Sequence, residues 1–120
     1  MTKAKSKEKL PGTYQRFAAK FPDLTGAHDQ VARAVERVGP LDRKQRELIK
    51  IGICVGAGLD SALRSHVRRA VQQGASVEEI DQAILLAMNT VGFPRMVAAW
   101  SWAHAQLERD VSEAACCAGA

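Results

Sequence analysis

The sequence predicts an all-α protein of about six helices that assembles with copies of itself. Apolar residues recur at helical spacing between breaks, and no segment shows the strict alternation or β-branched density of strands. The breaks are set by glycine and proline: Pro11-Gly12, Pro22, Gly39-Pro40, Gly56 and Gly58, Gly74, and Gly92-Phe93-Pro94. Nothing repeats at a solenoid period.

In chain order, Thr13 is placed to cap a short helix carrying Tyr14, Phe17, Ala18 and Phe21, which Pro22 ends. A second helix starts near Asp23 to Thr25, with Val31, Ala34, Val35 and Val38 on one face, and stops at Gly39-Pro40. Asp42 opens the third, with Gln45 three residues on as in a capping box. The first half of this helix is amphipathic. Its second half, IGICVGAG, is apolar or small on every side and is expected to be buried all round, Cys54 included as a small packed hydrophobe.

Asp60 is expected to cap the fourth helix, whose stripe of Ala62, Leu63, Val67, Ala70 and Val71 includes His66. Arg64, Arg68 and Arg69 are expected on or beside the other face. Ser76 with Glu79 forms a Ser-x-x-Glu box leading into Ile80, Ile84, Leu85, Ala87 and Met88. The sixth helix follows Pro94, with Val97, Trp100, His104, Leu107 and Val111 on one side and Trp102 pointing away. An end apolar all round and tryptophans on opposing faces are more surface than one small chain covers, so a homo-oligomer is expected.

The 120 residues fit one domain. Residues 1–10 are expected as a disordered basic tail, 11–112 as the domain, and 113–120 as a flexible tail with the adjacent Cys116 and Cys117. Of the formal charge of +4, residues 1–9 supply +3 through Lys3, Lys5, Lys7 and Lys9 against Glu8. The basicity is therefore mostly a tail, and neither a long basic stripe nor zinc-finger spacing points to nucleic acid. No apolar run reaches the ~18 residues of a membrane span, and the lysines precede no apolar leader. A cytoplasmic protein without membrane partners is expected, and three cysteines make no secreted-type disulfide framework. No metal or cofactor is expected, because His28, His66 and His104 show no ligand spacing with one another or with the cysteines.

Glu47 and His66 are the best candidates for chemistry, as ionisable groups in apolar surroundings on consecutive helices. If those helices fold back at Gly58 to Asp60, the two lie about 7 Å out of register at ~1.5 Å per residue, a gap that side-chain length or one water closes. The alternatives are a core histidine bonded to backbone and a surface glutamate paired with Lys50, Lys44 or Arg43. Arg95 follows Pro94 in the first turn of its helix, where it and the helix N-terminus suit an anion. Arg64 and Arg68 are further candidates for the same task.

The run LDRKQRELIKIGICVGAG, followed by ALRSHVRRAVQQGASVEEIDQAILLAMNTVGFPRMVAAWSWA, resembles the carboxymuconolactone decarboxylase family, a helical fold that includes the alkylhydroperoxidase-D-like proteins. The resemblance covers about residues 41–103. It rests on the His66 helix ending at a glycine, the Ser-x-x-Glu cap with Ile80, and Gly92-Phe93-Pro94. It implies an all-α protomer forming homotrimers or homohexamers, with the site near a subunit interface.

The thiol-peroxidase branch of that family carries a glutamate, a Cys-x-x-Cys pair and a histidine at fixed spacing. On this chain the ends of the pattern fall on Glu47 and His66, whereas the cysteines fall on Leu59 and Ala62. Disulfide-based peroxide reduction needs two thiols within about 4.4–6.8 Å Cα to Cα, so antioxidant activity of that type is disfavoured. The decarboxylase branch uses no such pair. Resemblance to it implies general acid/base chemistry on a small carboxylated, lactone-type metabolite, with His66 as acid or base, Glu47 orienting it, and Arg95, Arg64 or Arg68 holding the substrate carboxylate. This chain departs from that branch at Thr90, where a tyrosine is common. A non-catalytic oligomeric binding protein is the remaining alternative.

Overall fold

Two reciprocal caps fix where the central helices begin. In the computed structural model, which describes residues 12–119 and the side chains of 12–116, Asp42 accepts from the Gln45 backbone N–H while Gln45 accepts from that of Asp42. Ser76 and Glu79 repeat the arrangement. Each box satisfies two backbone donors that the first helical turn otherwise leaves unpaired. Among the described residues there are six helices and no strand: α1 (Gly12–Lys20), α2 (Pro22–Val38), α3 (Arg43–Ala57), α4 (Asp60–Gln72), α5 (Val77–Leu85) and α6 (Phe93–Gly119). The all-α expectation holds. The basic tail of residues 1–10 lies outside the described residues, as does Pro11.

The chain divides into two units at Pro40/Leu41, where a single domain over 11–112 is expected. The first holds α1 and α2. Pro22 does not separate them by a gap; it occupies the first position of α2, where its missing N–H costs nothing. Phe17 and Phe21 meet with ring centroids 5.1 Å apart, but neither helix buries a residue. Leu24, Val31, Val35 and Val38 stand exposed along α2.

The second unit holds α3 to α6. Gly58 ends α3 in the left-handed conformation (φ 69°), which side chains rarely adopt, so the tight α3–α4 turn calls for glycine. Asp60 is the first residue of α4 rather than its cap, and its carboxylate is drawn to Arg64 at 2.6 Å. Ile51 and Val55 of α3, Leu63 and Val67 of α4, and Ile80 and Ile84 of α5 are fully buried against one another.

The last helix turns a different face inward from the one expected. Met96, Ala99, Ala103 and Leu107 are buried, Trp102 packs against the core, and Trp100 is 40 % exposed. The expectation followed the bulky residues, but alanines let α6 approach closely, and close approach decides which face is covered. The helix also continues through the 113–119 segment expected as a tail. The apolar end of α3 is not buried all round either: Ile51, Cys54 and Val55 are inside while Ile53 is 60 % exposed.

Leu63 fills its site without exposure. Leu63→Ala is expected to lower the free energy of unfolding by about 2–5 kcal/mol in urea titrations, because the backbones around it cannot close the void.

Candidate functional site

The antiparallel α3–α4 pair carries the site. His66 Nδ1 lies 2.7 Å from Glu47 Oε1, and the two side chains retain 17 % and 16 % of their exposure. The register gap of the sequence estimate is thus spanned by side-chain length in a direct hydrogen bond. Neither alternative describes the pair, since His66 bonds a carboxylate rather than backbone and Glu47 bonds an imidazole rather than a surface cation.

Burial by itself would push the Glu47 carboxyl up. The His66 hydrogen bond and the charges of His66, Arg69 and Lys50 outweigh it and hold the carboxyl below its ordinary value of 4.5. Glu47 is therefore ionised near neutrality and can only accept, which places the proton on Nδ1 and leaves Nε2 as the atom free for chemistry. Such an imidazole is fixed in orientation and tautomer.

Around α3, the face of Glu47 is shared by Lys50 and Cys54, both within about 60° of it. Burial pushes the Cys54 thiol above its ordinary 9.0, and the Glu47 charge pushes it further. A buried thiol so placed is a poor nucleophile. Leu59 is half exposed and Ala62 packs against the core, so the two places where the thiol-peroxidase pattern would need cysteines contribute only apolar surface.

The proposed anion-binding arginines stand apart from the pair. Arg64 is engaged by Asp60 at 2.6 Å, and both it and Arg68 lie about 160–200° round α4 from His66. Arg95 donates from Nη1 to the Gly56 carbonyl at 3.2 Å, placing its charge on the C-terminal end of α3. The arginine whose charge does act on Glu47 is Arg69, which the sequence places with Arg64 and Arg68 on or beside the other face. It sits three residues after His66, about 60° round and one turn along.

A second carboxylate–imidazole pair escaped the sequence reading. Asp81 Oδ1 accepts from Trp100 Nε1 at 3.0 Å and lies 2.7 Å from His104 Nε2, while the indole and imidazole stack with centroids 4.2 Å apart. Trp100 and His104, four residues apart, share a face of α6; that spacing was visible, but nothing in the sequence aimed Asp81 at them. The cluster ties α5 to α6 at the surface. A groove of about 520 Å³ runs between α3 and α5, lined by Leu48, Gly52, Gly56, Ala83, Ala87 and Val91 among others. Glu47 and His66 are not in its lining. Its acidic group, Glu79, is already held by Lys44 at 2.9 Å, so the groove offers shape without the reactive groups found at the α3–α4 pair.

Because Glu47 titrates lower folded than unfolded, the stability it contributes is present above the unfolded value and lost as the pH falls through the folded one. Below pH 4.5 the urea midpoint of the unmodified protein is expected to fall more steeply than that of Glu47→Gln, measured as a pH series of denaturation curves.

Similarity to known proteins places this geometry in a family. The family model described as the carboxymuconolactone decarboxylase family matches residues 20–105. A carboxymuconolactone decarboxylase family protein from Legionella pneumophila, crystallised in its apo form, superposes with a TM-score of 0.71 at 25 % identity, over 80 % of this chain and 86 % of that one. A crystal structure of a protein from Thermotoga maritima superposes with a TM-score of 0.66 at 27 % identity, over 83 % of this chain and 94 % of that one. No curated protein matches the chain at a significant level. The match spans most of the sequence, including Glu47 and His66, and the chain belongs to the carboxymuconolactone decarboxylase family.

Proposed function

We propose that this protein is a carboxy-lyase-type enzyme acting on a small carboxylated, lactone-type metabolite by general acid/base chemistry at His66 and Glu47. The observation that carries the proposal is the direct 2.7 Å bond between a sheltered imidazole and an ionised carboxylate. In the reaction the bond between carbon and the departing carboxylate breaks, its electron pair enters the adjoining unsaturated system as an enolate-like anion, and CO2 leaves. The doubly protonated His66 then delivers its Nε2 proton to carbon, and the neutral ring recovers a proton from water. Glu47 holds the ring in place throughout and stabilises the imidazolium, a contribution of about 10²–10⁴-fold for a positioned acid–base group.

The thiol-peroxidase alternative finds no support in the site, since Leu59 and Ala62 supply no sulfur and Cys54 is buried as a thiol. Self-association is favoured by one specific feature: Leu24, Val31, Val35 and Val38 of α2, together with Ile53 and Leu86 of the second unit, are large apolar residues each at least 59 % exposed in the single chain. Burying such surface in a homotrimer or homohexamer removes it from water at about 25 cal/mol per Å².

Carbon dioxide release from a muconolactone-type acid tests the first claim: His66→Ala is expected to reduce it to the uncatalysed rate, and full activity in that variant, or none in the unmodified protein, refutes the assignment. Light scattering on the intact protein tests the second. A mass of three or six chains is expected, and a monomer at micromolar concentration refutes it.

A further inference from the structure

We infer that Arg69, assisted by Lys50, is the residue that seats a substrate carboxylate beside His66, and specifically the carboxylate that stays on the substrate. The inference rests on the acid/base reading of the site but concerns recognition rather than turnover.

Helical register brings the two cations to the pair. Lys50 stands three residues after Glu47 on α3 and Arg69 three residues after His66 on α4, each about 60° round and ~4.5 Å along its axis. Because the helices run antiparallel, the cations bracket the Glu47–His66 rung from opposite ends. Both are half-buried. Their charges reach the Glu47 carboxylate. Yet among the described residues neither side chain has a hydrogen bond or an ion pair, whereas those of Lys44, Arg64 and Arg95 are held by Glu79, Asp60 and the Gly56 carbonyl respectively. One carboxylate faces two cations, so the site carries an excess positive charge even with His66 neutral, and a second anion satisfies it. Arg69 is the stronger seat, since its planar guanidinium grips a carboxylate through two parallel hydrogen bonds.

The reaction dictates which carboxylate goes there. A departing carboxylate loses its charge as CO2 forms, so a cation holding it stabilises the starting state more than the transition state and slows the step. A carboxylate that keeps its charge is held equally well throughout, and gripping it lowers KM without lowering kcat. Arg69 therefore selects substrates that carry a carboxylate in addition to the one lost. The same charge could be met by a carboxylate side chain of a second copy of this chain, and the experiment separates the two sources.

Glutarate serves as a non-reacting probe, titrated into the unmodified protein, Arg69→Gln and Arg69→Lys, with calorimetric affinity, the His66 ring NMR signals and light-scattering mass as readouts. Arg69→Gln is expected to weaken glutarate binding about 10- to 100-fold, the scale of a charge-assisted hydrogen bond, with circular dichroism and assembly mass unchanged. Arg69→Lys is expected to fall between, and on a substrate that releases CO2 both variants are expected to raise KM with kcat within a factor of a few. Equal glutarate affinity in all three proteins overturns the inference. Loss of assembly mass in Arg69→Gln overturns it in favour of a carboxylate from a second copy. Glutarate binding that depends on Arg69 without any CO2 release leaves Arg69 as a carboxylate seat and sinks the lyase reading instead. CO2 release with an unaltered KM in Arg69→Gln does the reverse.

Discussion

The contact between Glu47 and His66 depends on how α3 and α4 are set against each other, and that setting is the constraint from which the rest of the site follows. The tight turn at Gly58 fixes which residues face across the pair, and the packing of Ile51 and Val55 with Leu63 and Val67 locks the helices axially. A slip of one residue along α4 would swing the imidazole about 100° away from the carboxylate. Core packing, not the hydrogen bond, therefore positions the pair. The hydrogen bond then fixes what packing cannot, namely the ring's orientation and the atom that bears the proton.

Electrostatics at the pair show which effect wins. Desolvation is the largest influence on Glu47 and opposes its charge, but the hydrogen bond and three cationic groups overcome it together. No single cation accounts for the result. A carboxylate held charged in a sheltered place is a lasting hydrogen-bond acceptor for the imidazole Nδ1. Burial first, and the Glu47 charge second, push the nearby Cys54 thiol up. One carboxylate thus fixes the ring and adds to the burial that disfavours a thiolate at Cys54.

The parts of this molecule legible in sequence were those written locally. Asp42 with Gln45 and Ser76 with Glu79 set helix starts through contacts within one turn, and both boxes form. Glu47 and His66 were legible because apolar neighbours mark an ionisable group as unusual and a short turn limits where the next helix can go. What failed depended on approach between distant segments. The inward face of α6 is built on Ala99 and Ala103, which carry little hydrophobic signal although small size is what permits contact. Arg69 was grouped with its neighbours Arg64 and Arg68 by charge, when a register difference of one residue puts it on another side of the helix. Asp81 meets Trp100 and His104 across about twenty residues of chain, and no local pattern announces such a meeting.

Leu59 and Ala62 place aliphatic side chains at the start of α4, ahead of His66. The thiol-peroxidase pattern that the sequence resembles at Glu47 and His66 needs two cysteines at those places. With aliphatic residues at both places the carboxylate–imidazole pair still forms, and neither position offers it a sulfur atom. A fixed imidazole with no protein nucleophile beside it serves only a group brought in from outside. On the acid/base reading proposed above, the reacting atom belongs to a ligand, and recognition of that ligand falls to the cations around the pair. The positive charges of Arg69 and Lys50 that act on Glu47 suit an anionic ligand.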